Sequence, residues 1–400
     1  MKNSNIQWIG DIPDDWKVLK NKYNFELSKE IVGVKSASTQ LLSLTKNGIK
    51  AITEDQQNGK VPASFNTYQV VKKDDIVMCL FDLDVSAVFS GISNYDGMIS
   101  PAYKCFKCKT HLNPKYVDYY FRAVFVDRKY KRYSKNVRYS ISAEEFMTLP
   151  ILVPPLPTQT PIATYLDAKC SEIDGLIADI NKQIDTLNEL KKSTITEAVT
   201  KGLNKNVKLK DSGIQWIGEI PEGWSKCRLK YLCEITTGNE DTQNADPDGE
   251  FPFYVRSPQV ERCKRYTFDG EGILIAGDGA GAGRIFHHVF GKYAVHQRVY
   301  RLYNFKINTS YLHYYLSNIF PNEMDRGSAQ STVPSMRLPM LLNFNILIPS
   351  ESEQHAIATY LDTKCSEFDS IISDKQKQIS TLETYKKSLI YEYVTGKKEV

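Results

Sequence analysis

Two long stretches of the chain carry apolar residues in steps of three and four. In the first, Ile173, Ile177, Ile180, Ile184, Leu187 and Leu190 line up on one side of a helix. The second places Ile372, Ile379 and Leu382 in the same way. Such a narrow stripe is a coiled-coil seam rather than a broad core-facing face. Pro161 fits the first turn of the first helix, where a missing N–H costs nothing. Ser350 and Glu353 have the spacing of a capping box for the second. About 40 residues at 1.5 Å each give rods of roughly 60 Å. A lone amphipathic rod is not stable in water, so two in one chain are expected to pair, antiparallel.

The rest of each half is patterned differently. "DIVMCLF" (75–81), "AYKCFKC" (102–108), "GILIAG" (272–277) and "AVHQRVYRLY" (294–303) read as strands between Gly- and Pro-rich turns. In "PKYVDYYFRAVFVDRKYKRYS" (114–134), Tyr116, Tyr120, Val124 and Tyr130 indicate a partly helical segment.

These patterns occur twice. "IQWIGDIPDDWK" at residue 6 returns as "IQWIGEIPEGWS" at residue 214, an offset of 208. The helical stretch 162–200 returns at 357–395, an offset of 195, with roughly 25 of 39 positions identical. The same offset relates "NPKYVDYYF" to "NTSYLHYYL". One module is therefore written twice, with 13 residues of insertion between its motifs. The fold expected is α+β: two α/β globules separated by two long antiparallel coiled-coil helices, with an internal pseudo-two-fold repeat. The boundaries read as a globule over 1–157, a helix over 158–203, a second globule over 204–350 and a second helix over 351–400.

Charge sharpens the picture. The net charge is only +4, yet residues 101–140 hold 11 Lys or Arg against 2 Asp or Glu, about +9. "RKYKRYSKNVRYS" interleaves Arg128, Lys129, Lys131, Arg132, Lys135 and Arg138 with Tyr130, Tyr133 and Tyr139. Cations neutralise phosphates and arginine forks hold guanine edges, so this run is a candidate nucleic-acid contact. In the second half the corresponding register holds Arg326, Gln330, Ser331 and Arg337, and a loop adds Arg284, His287 and His288. Two like globules with unlike contact chemistry are expected to read two different short sequences.

Other chemistry is thin. "ILIAGDGAGAGRIF" (273–286) lacks the Lys-Ser/Thr of a phosphate loop and the G-x-G-x-x-G of a dinucleotide fold, so it reads as a strand-to-strand loop. Asp82 and Asp84 pair in sequence without a His or Cys cluster nearby. The eight cysteines are expected to be free thiols; Cys105, Cys108 and His111 make an incomplete zinc pattern and no metal site is assigned. No run of 18 apolar residues predicts a membrane span, and "MKNSNIQWIG" has no apolar signal core, so a cytoplasmic protein is expected.

The motifs together resemble the specificity subunits of Type I restriction–modification systems. The resemblance rests on "IGDIPDDW" and "IGEIPEGW", "GMISPAYKCF", "GILIAGDGAGAGRI" with "GKYAVHQRVYRL", and "ILVPPLPTQTPIATYLD" with "ILIPSESEQHAIATYLD". It implies two target-recognition domains, each reading half of a split, asymmetric site in double-stranded DNA. It also implies that the helices set the spacer and dock two methyltransferase subunits. Ile177, Ile184, Leu187, Ile372, Ile379 and Leu382 are the candidate positions for helix pairing or docking. S-adenosylmethionine would sit on the methyltransferase partners, and ATP and Mg on a restriction subunit where one joins. This chain would bind no cofactor and catalyse nothing. The resemblance does not transfer base-reading residues, because no fixed motif carries them. Two other classes remain open: a protein-only structural adapter, and a stand-alone DNA-cleaving enzyme using Asp82 and Asp84.

Overall fold

The computed structural model describes residues 1–46, 48–56, 62–86, 89–134, 139–327 and 334–400, without the side chains of 127, 326 and 327. Both halves are built on the same pair of four-stranded sheets. In the first half one sheet runs Phe25–Leu27, Lys104–Cys108, Ile76–Met78 and Ser90–Ile92, all antiparallel. The other runs Gly48–Ile52, Leu41–Thr45, Gly97–Ile99 and Gln69–Val71, with one parallel pair at its centre, Met98 opposite Leu41. The second half repeats the first sheet as Glu234–Thr237, Val299–Tyr303, Gly272–Ala276 and Phe286–Val289. It repeats the other as Glu261–Cys263, Phe251–Tyr254, Lys292–Val295 and Phe268–Asp269, again with a central parallel pair, Phe253 opposite Ala294.

Three helices belong to the first half: α1 (Pro114–Phe125), α2 (Ala143–Thr148) and the long α3 (Leu156–Lys201). The second half has α4 (Thr309–Gly327), α5 (Leu338–Leu342) and the long α6 (Glu351–Val394). The Asn113 side chain caps α1, and the helix buries Tyr116, Tyr120 and Val124 as their spacing predicts. Tyr130 also reaches the core, but from a 3₁₀ turn over Val126–Tyr133.

The structure corrects three local expectations. Helix α3 starts at Leu156, so Pro161 is its sixth residue and lies inside the helix. The early start is held by Gln159, which is fully buried. Its side chain accepts from the Asn113 N–H at 2.7 Å and donates to the carbonyls of His111 and Pro154. Gln354 does the same at the start of α6, on the Asn308 N–H and the Pro349 carbonyl. Second, Ser350 accepts from the Glu353 N–H, but the Glu353 carboxylate accepts from Trp224 Nε1 at 2.9 Å instead of closing the box. Third, Leu190 leaves the seam and is 51% exposed. After Leu187 the buried side shifts to Lys191, Thr194 and Ile195, because a straight helix drifts off a seven-residue repeat.

The chain divides into two compact units, residues 1–180 with 377–400, and residues 181–376. These limits cut through both long helices instead of falling at their ends, and the cores show why. The first core holds Ile162, Leu166 and Ile173 from the start of α3 together with Leu389, Ile390 and Val394 from the end of α6. The second core holds Ile357 and Leu361 from the start of α6 with Ile195, Ala198 and Val199 from the end of α3. Each globule thus buries the beginning of the helix that leaves it and the end of the other.

Within each unit the helix segments run antiparallel. In the first, Lys386 reaches Asp174 at 2.6 Å; in the second, Lys191 reaches Asp369 at 2.7 Å. Their carboxylates are 60% and 62% exposed, so each pair is worth well under about 1 kcal/mol. A fully buried Leu or Ile is worth about 1.5–3 kcal/mol, so the apolar seam and not the ion pairs sets the register.

The repeated opening motif closes each unit. Trp16 and Trp224 are both buried, and each meets a glycine just past the end of a long helix, Gly396 and Gly202 respectively. Both glycines have positive φ, +70° and +75°. A Cβ on Gly396 would lie 2.4 Å from Pro13 Cδ, and one on Gly202 would lie 3.1 Å from the Trp224 ring. The Lys397 ammonium donates to the Asp11 carbonyl, and that of Lys201 to the equivalent Glu219 carbonyl. Replacing Gly202 or Gly396 by Ala should therefore lower stability by about 1–3 kcal/mol, read as a fall in the urea midpoint at unchanged slope.

Candidate nucleic-acid interface

The basic run follows directly from the end of α1. Arg128, at φ 53°, lies over the Phe125 ring at 4.5 Å and donates to the Ser86 carbonyl. The Lys129 ammonium sits 4.9 Å from the Trp8 ring and 4.8 Å from the Tyr391 ring, and donates to the Ala123 carbonyl at 3.4 Å. Lys129 thus anchors the turn to the opening motif and to α6, and Arg128 ties it to α1 and to Ser86. Lys131 is half-buried with its ammonium 4.0 Å over the Tyr139 ring, whereas Arg132 is exposed and donates to Gln7 Oε1 at 3.0 Å. Tyr139 is half-buried at φ 46°. Lys135 and Arg138 fall outside the described residues. A run that is uniform in sequence is thus divided between anchoring and surface charge.

In the second globule, Arg284 pairs with Asp325 on α4. His287 packs on the Tyr254 ring at 5.0 Å with its Nε2 buried and, among the described residues, unpartnered; burial pushes its pKa down. His288 meets Glu271 at 2.9 Å and stacks on His313 at 5.4 Å. Burial, with His288 and His287 close by, pushes His313 down to about 4. Gln330, Ser331 and the side chain of Arg326 lie outside the described residues. The glycine-rich segment does join two strands, Gly272–Ala276 and Phe286–Val289.

The sequence reading missed Arg256 and Arg298. Both are exposed, and both bind Asp278 of the glycine-rich loop, at 3.0 and 3.2 Å. Nothing in the local sequence marks them, since three separate strands bring them together. The alternate glycines were the available signal, because they allow close approach of other backbone.

Elsewhere, Cys105 and Cys108 are three apart on one strand and so face opposite sides of the sheet, and burial pushes both thiols up to about 12. His111 Nε2 instead meets Asn24 Oδ1 at 2.9 Å. Asp82 sits in a turn at φ 50° whose carbonyl accepts from the Ser86 N–H at 2.7 Å. Among the described residues no three His, Cys, Asp or Glu side chains gather as metal ligands, and no helix is long and apolar enough to cross a membrane. On the long helices Ile177, Ile184, Leu187, Ile372, Ile379 and Leu382 are half-buried. Beside that seam, Leu176, Leu190, Ile371 and Tyr385 are exposed, and the offset of 195 pairs Leu176 with Ile371 and Leu190 with Tyr385.

A duplicated α/β module with paired long helices also occurs among known proteins. The family model for the Type I restriction modification DNA specificity domain matches residues 221–381. The Type I restriction enzyme EcoDI specificity subunit of Escherichia coli is 30% identical over 153 residues, 38% of this chain and 34% of that protein. The MjaVIII specificity subunit of Methanocaldococcus jannaschii is 30% identical over 277 residues, 63% of each. The match thus spans about a third and under two thirds of these two relatives. The putative MjaX specificity subunit of the same organism is 26% identical over 97% of this chain and 95% of that protein. A chain solved in a study of complex assembly and conformational transition of the type I R-M system shares the fold, with a TM-score of 0.69 at 14% identity, over 96% of this chain and 98% of that one. This chain is therefore similar in sequence to Type I restriction–modification specificity subunits, and its residues 221–381 match the DNA specificity domain of that family.

The histidine cluster gives a measurable pH dependence. His313 titrates near 6.5 when unfolded and at about 4 when folded. A depressed folded value means its contribution is complete above pH 6.5 and is lost as the pH falls toward 4. Stability should drop across that interval, and His313→Leu should flatten the drop in urea titrations at pH 7, 5.5 and 4.5.

Proposed function

We propose that this chain is the DNA sequence-specificity subunit of a Type I restriction–modification complex, non-catalytic in itself, acting in the cytoplasm. Each globule reads one half of a bipartite, asymmetric site in double-stranded DNA, and the helix pair sets the unread spacer. The observation that carries this reading is the duplication of one scaffold with unlike surface chemistry. The two globules share sheet topology, helix contacts and the tryptophan–glycine closure, yet one presents Arg132 beside a Lys131–Tyr139 stack and the other Arg256, Arg298 and Arg284. Reading two different half-sites requires that combination.

Two methyltransferase subunits dock on the helices. The exposed pairs Leu176 with Ile371 and Leu190 with Tyr385 are equivalent in the two copies, and they offer like apolar positions to like partners. S-adenosylmethionine sits on those partners, which methylate a flipped adenine in each half-site. A restriction subunit, with ATP and Mg, joins in systems that cleave.

Methylation-sensitive single-molecule sequencing tests the reading directly. DNA from cells carrying this gene and its methyltransferase should show N6-methyladenine in a split motif that disappears when the gene is deleted. A methylation pattern unchanged by deletion would falsify it and favour a protein-only adapter. DNA cleavage by the purified chain with Mg²⁺ and no partner would instead favour an enzyme built on Asp82 and Asp84.

The salt dependence of DNA affinity separates the roles within the basic run. Arg132→Ala should lower the slope of log affinity against log salt by about 0.9, one phosphate contact. Lys129→Met should weaken binding in parallel at every salt concentration, because its ammonium is engaged by two rings and releases no counterion.

A further inference from the structure

The glycine-rich segment 277–283 has no part in the roles assigned so far, and its contacts explain its composition. A Cβ on Gly277 would come within 2.9 Å of the Arg298 carbonyl, and one on Gly281 within 2.8 Å of the Arg256 carbonyl. The loop is pressed between two other segments of chain so closely that only glycine fits. Its carboxylate, Asp278, lies between their side chains: Oδ1 accepts from Arg256 at 3.0 Å, and Oδ2 forms an ion pair with Arg298 at 3.2 Å. The carboxylate is 18% exposed, whereas the two arginine side chains are 44% and 63% exposed. Each guanidinium is held on one side and presents its remaining N–H groups to solvent.

The backbone around this fork is fixed as well. The Gly277 N–H donates to the Arg298 carbonyl at 2.9 Å, and the Met336 N–H to the Gly277 carbonyl at 2.8 Å. The Arg298 N–H donates to Nδ1 of the buried His296 at 3.0 Å. The neighbouring Gln297 side chain donates to Asp241 at 2.7 Å. In the first globule Lys104–Cys108 holds the sheet position of Val299–Tyr303, so Tyr103 precedes that strand where Arg298 does here. Tyr103 stacks on Phe81 at 6.0 Å. One place in the scaffold thus carries an aromatic stack in one globule and an arginine pair in the other.

We propose that Arg256 and Arg298, clamped by Asp278, are base-reading residues of the second globule, and that their ligand is the O6/N7 edge of guanine in the DNA major groove. The assignment rests on the DNA-specificity reading above. A guanidinium fork matches that edge bidentately, and discrimination by such a contact requires a fixed orientation, which the clamp supplies. The clamp also argues against phosphate as the ligand. A carboxylate about 3 Å from both guanidiniums repels a second anion, whereas guanine offers neutral acceptors.

The test uses the assembled complex and the split motif found by methylation mapping, with target duplexes bearing single base-pair changes. Arg256→Lys and Arg298→Lys keep the charge and lose the fork. Each should reduce discrimination about five- to a hundredfold at one or two G·C pairs within a single half-site, with the salt slope unchanged. Asp278→Asn keeps both arginines and removes one negative charge, so it should lower discrimination at the same pairs while raising affinity for unrelated duplex. Unchanged discrimination at every position in all three variants overturns the assignment, and so does equal loss in both half-sites. A wild-type complex without sequence preference overturns the DNA-specificity reading itself, and this assignment with it.

Discussion

Every other feature of this protein depends on burying the two ends of each long helix. A helix of more than 40 residues with a narrow apolar stripe cannot hide that stripe alone. Here Val199, at the end of α3, is buried against the second globule, and Val394, at the end of α6, against the first. Tyr116 donates to the Val394 carbonyl at 3.2 Å and Tyr311 to the Val199 carbonyl at 3.4 Å, satisfying terminal groups that a helix leaves open. A globule without the far end of the other helix would expose Trp16 or Trp224 and part of its core.

That constraint explains what is duplicated. The tryptophan of the opening motif, the glycine past each helix, the buried glutamine at each helix start and the tyrosine on each terminal carbonyl all serve closure, and all occur twice. Closure is indifferent to what the outer loops carry. The loops are free to differ, and they do: a basic 3₁₀ turn anchored through Lys129 in one globule, an Asp278-clamped arginine pair in the other. A scaffold fixed by internal packing with variable loops suits the proposed reading of two unlike half-sites with one architecture.

Much of this is legible along the chain. The seam at Ile173 to Leu187, the strands at 75–81 and 272–277 and the 195-residue repeat follow from periodicity, because burial on one face imposes a fixed spacing. Errors fell where tertiary contacts override local rules. Pro161 lies inside α3 because Gln159 draws the first turn back onto His111. Glu353 serves Trp224 instead of its own cap. Leu190 left the seam through helical drift that a simple step count ignores. Lys129 looked like its basic neighbours, since the two rings that hold it lie 121 residues before and 262 residues after it.

The sequence by itself determined the duplication, the paired helices, the location of basic charge and the family resemblance, because each is written in spacing, composition or motif within short windows. Only the tertiary structure decided which cations anchor and which face solvent, and that Gly277 to Gly283 cradle a carboxylate between Arg256 and Arg298. Those assignments depend on which atoms meet after three strands and two helices have packed. Distance in space between residues far apart in the chain is a property no local pattern encodes.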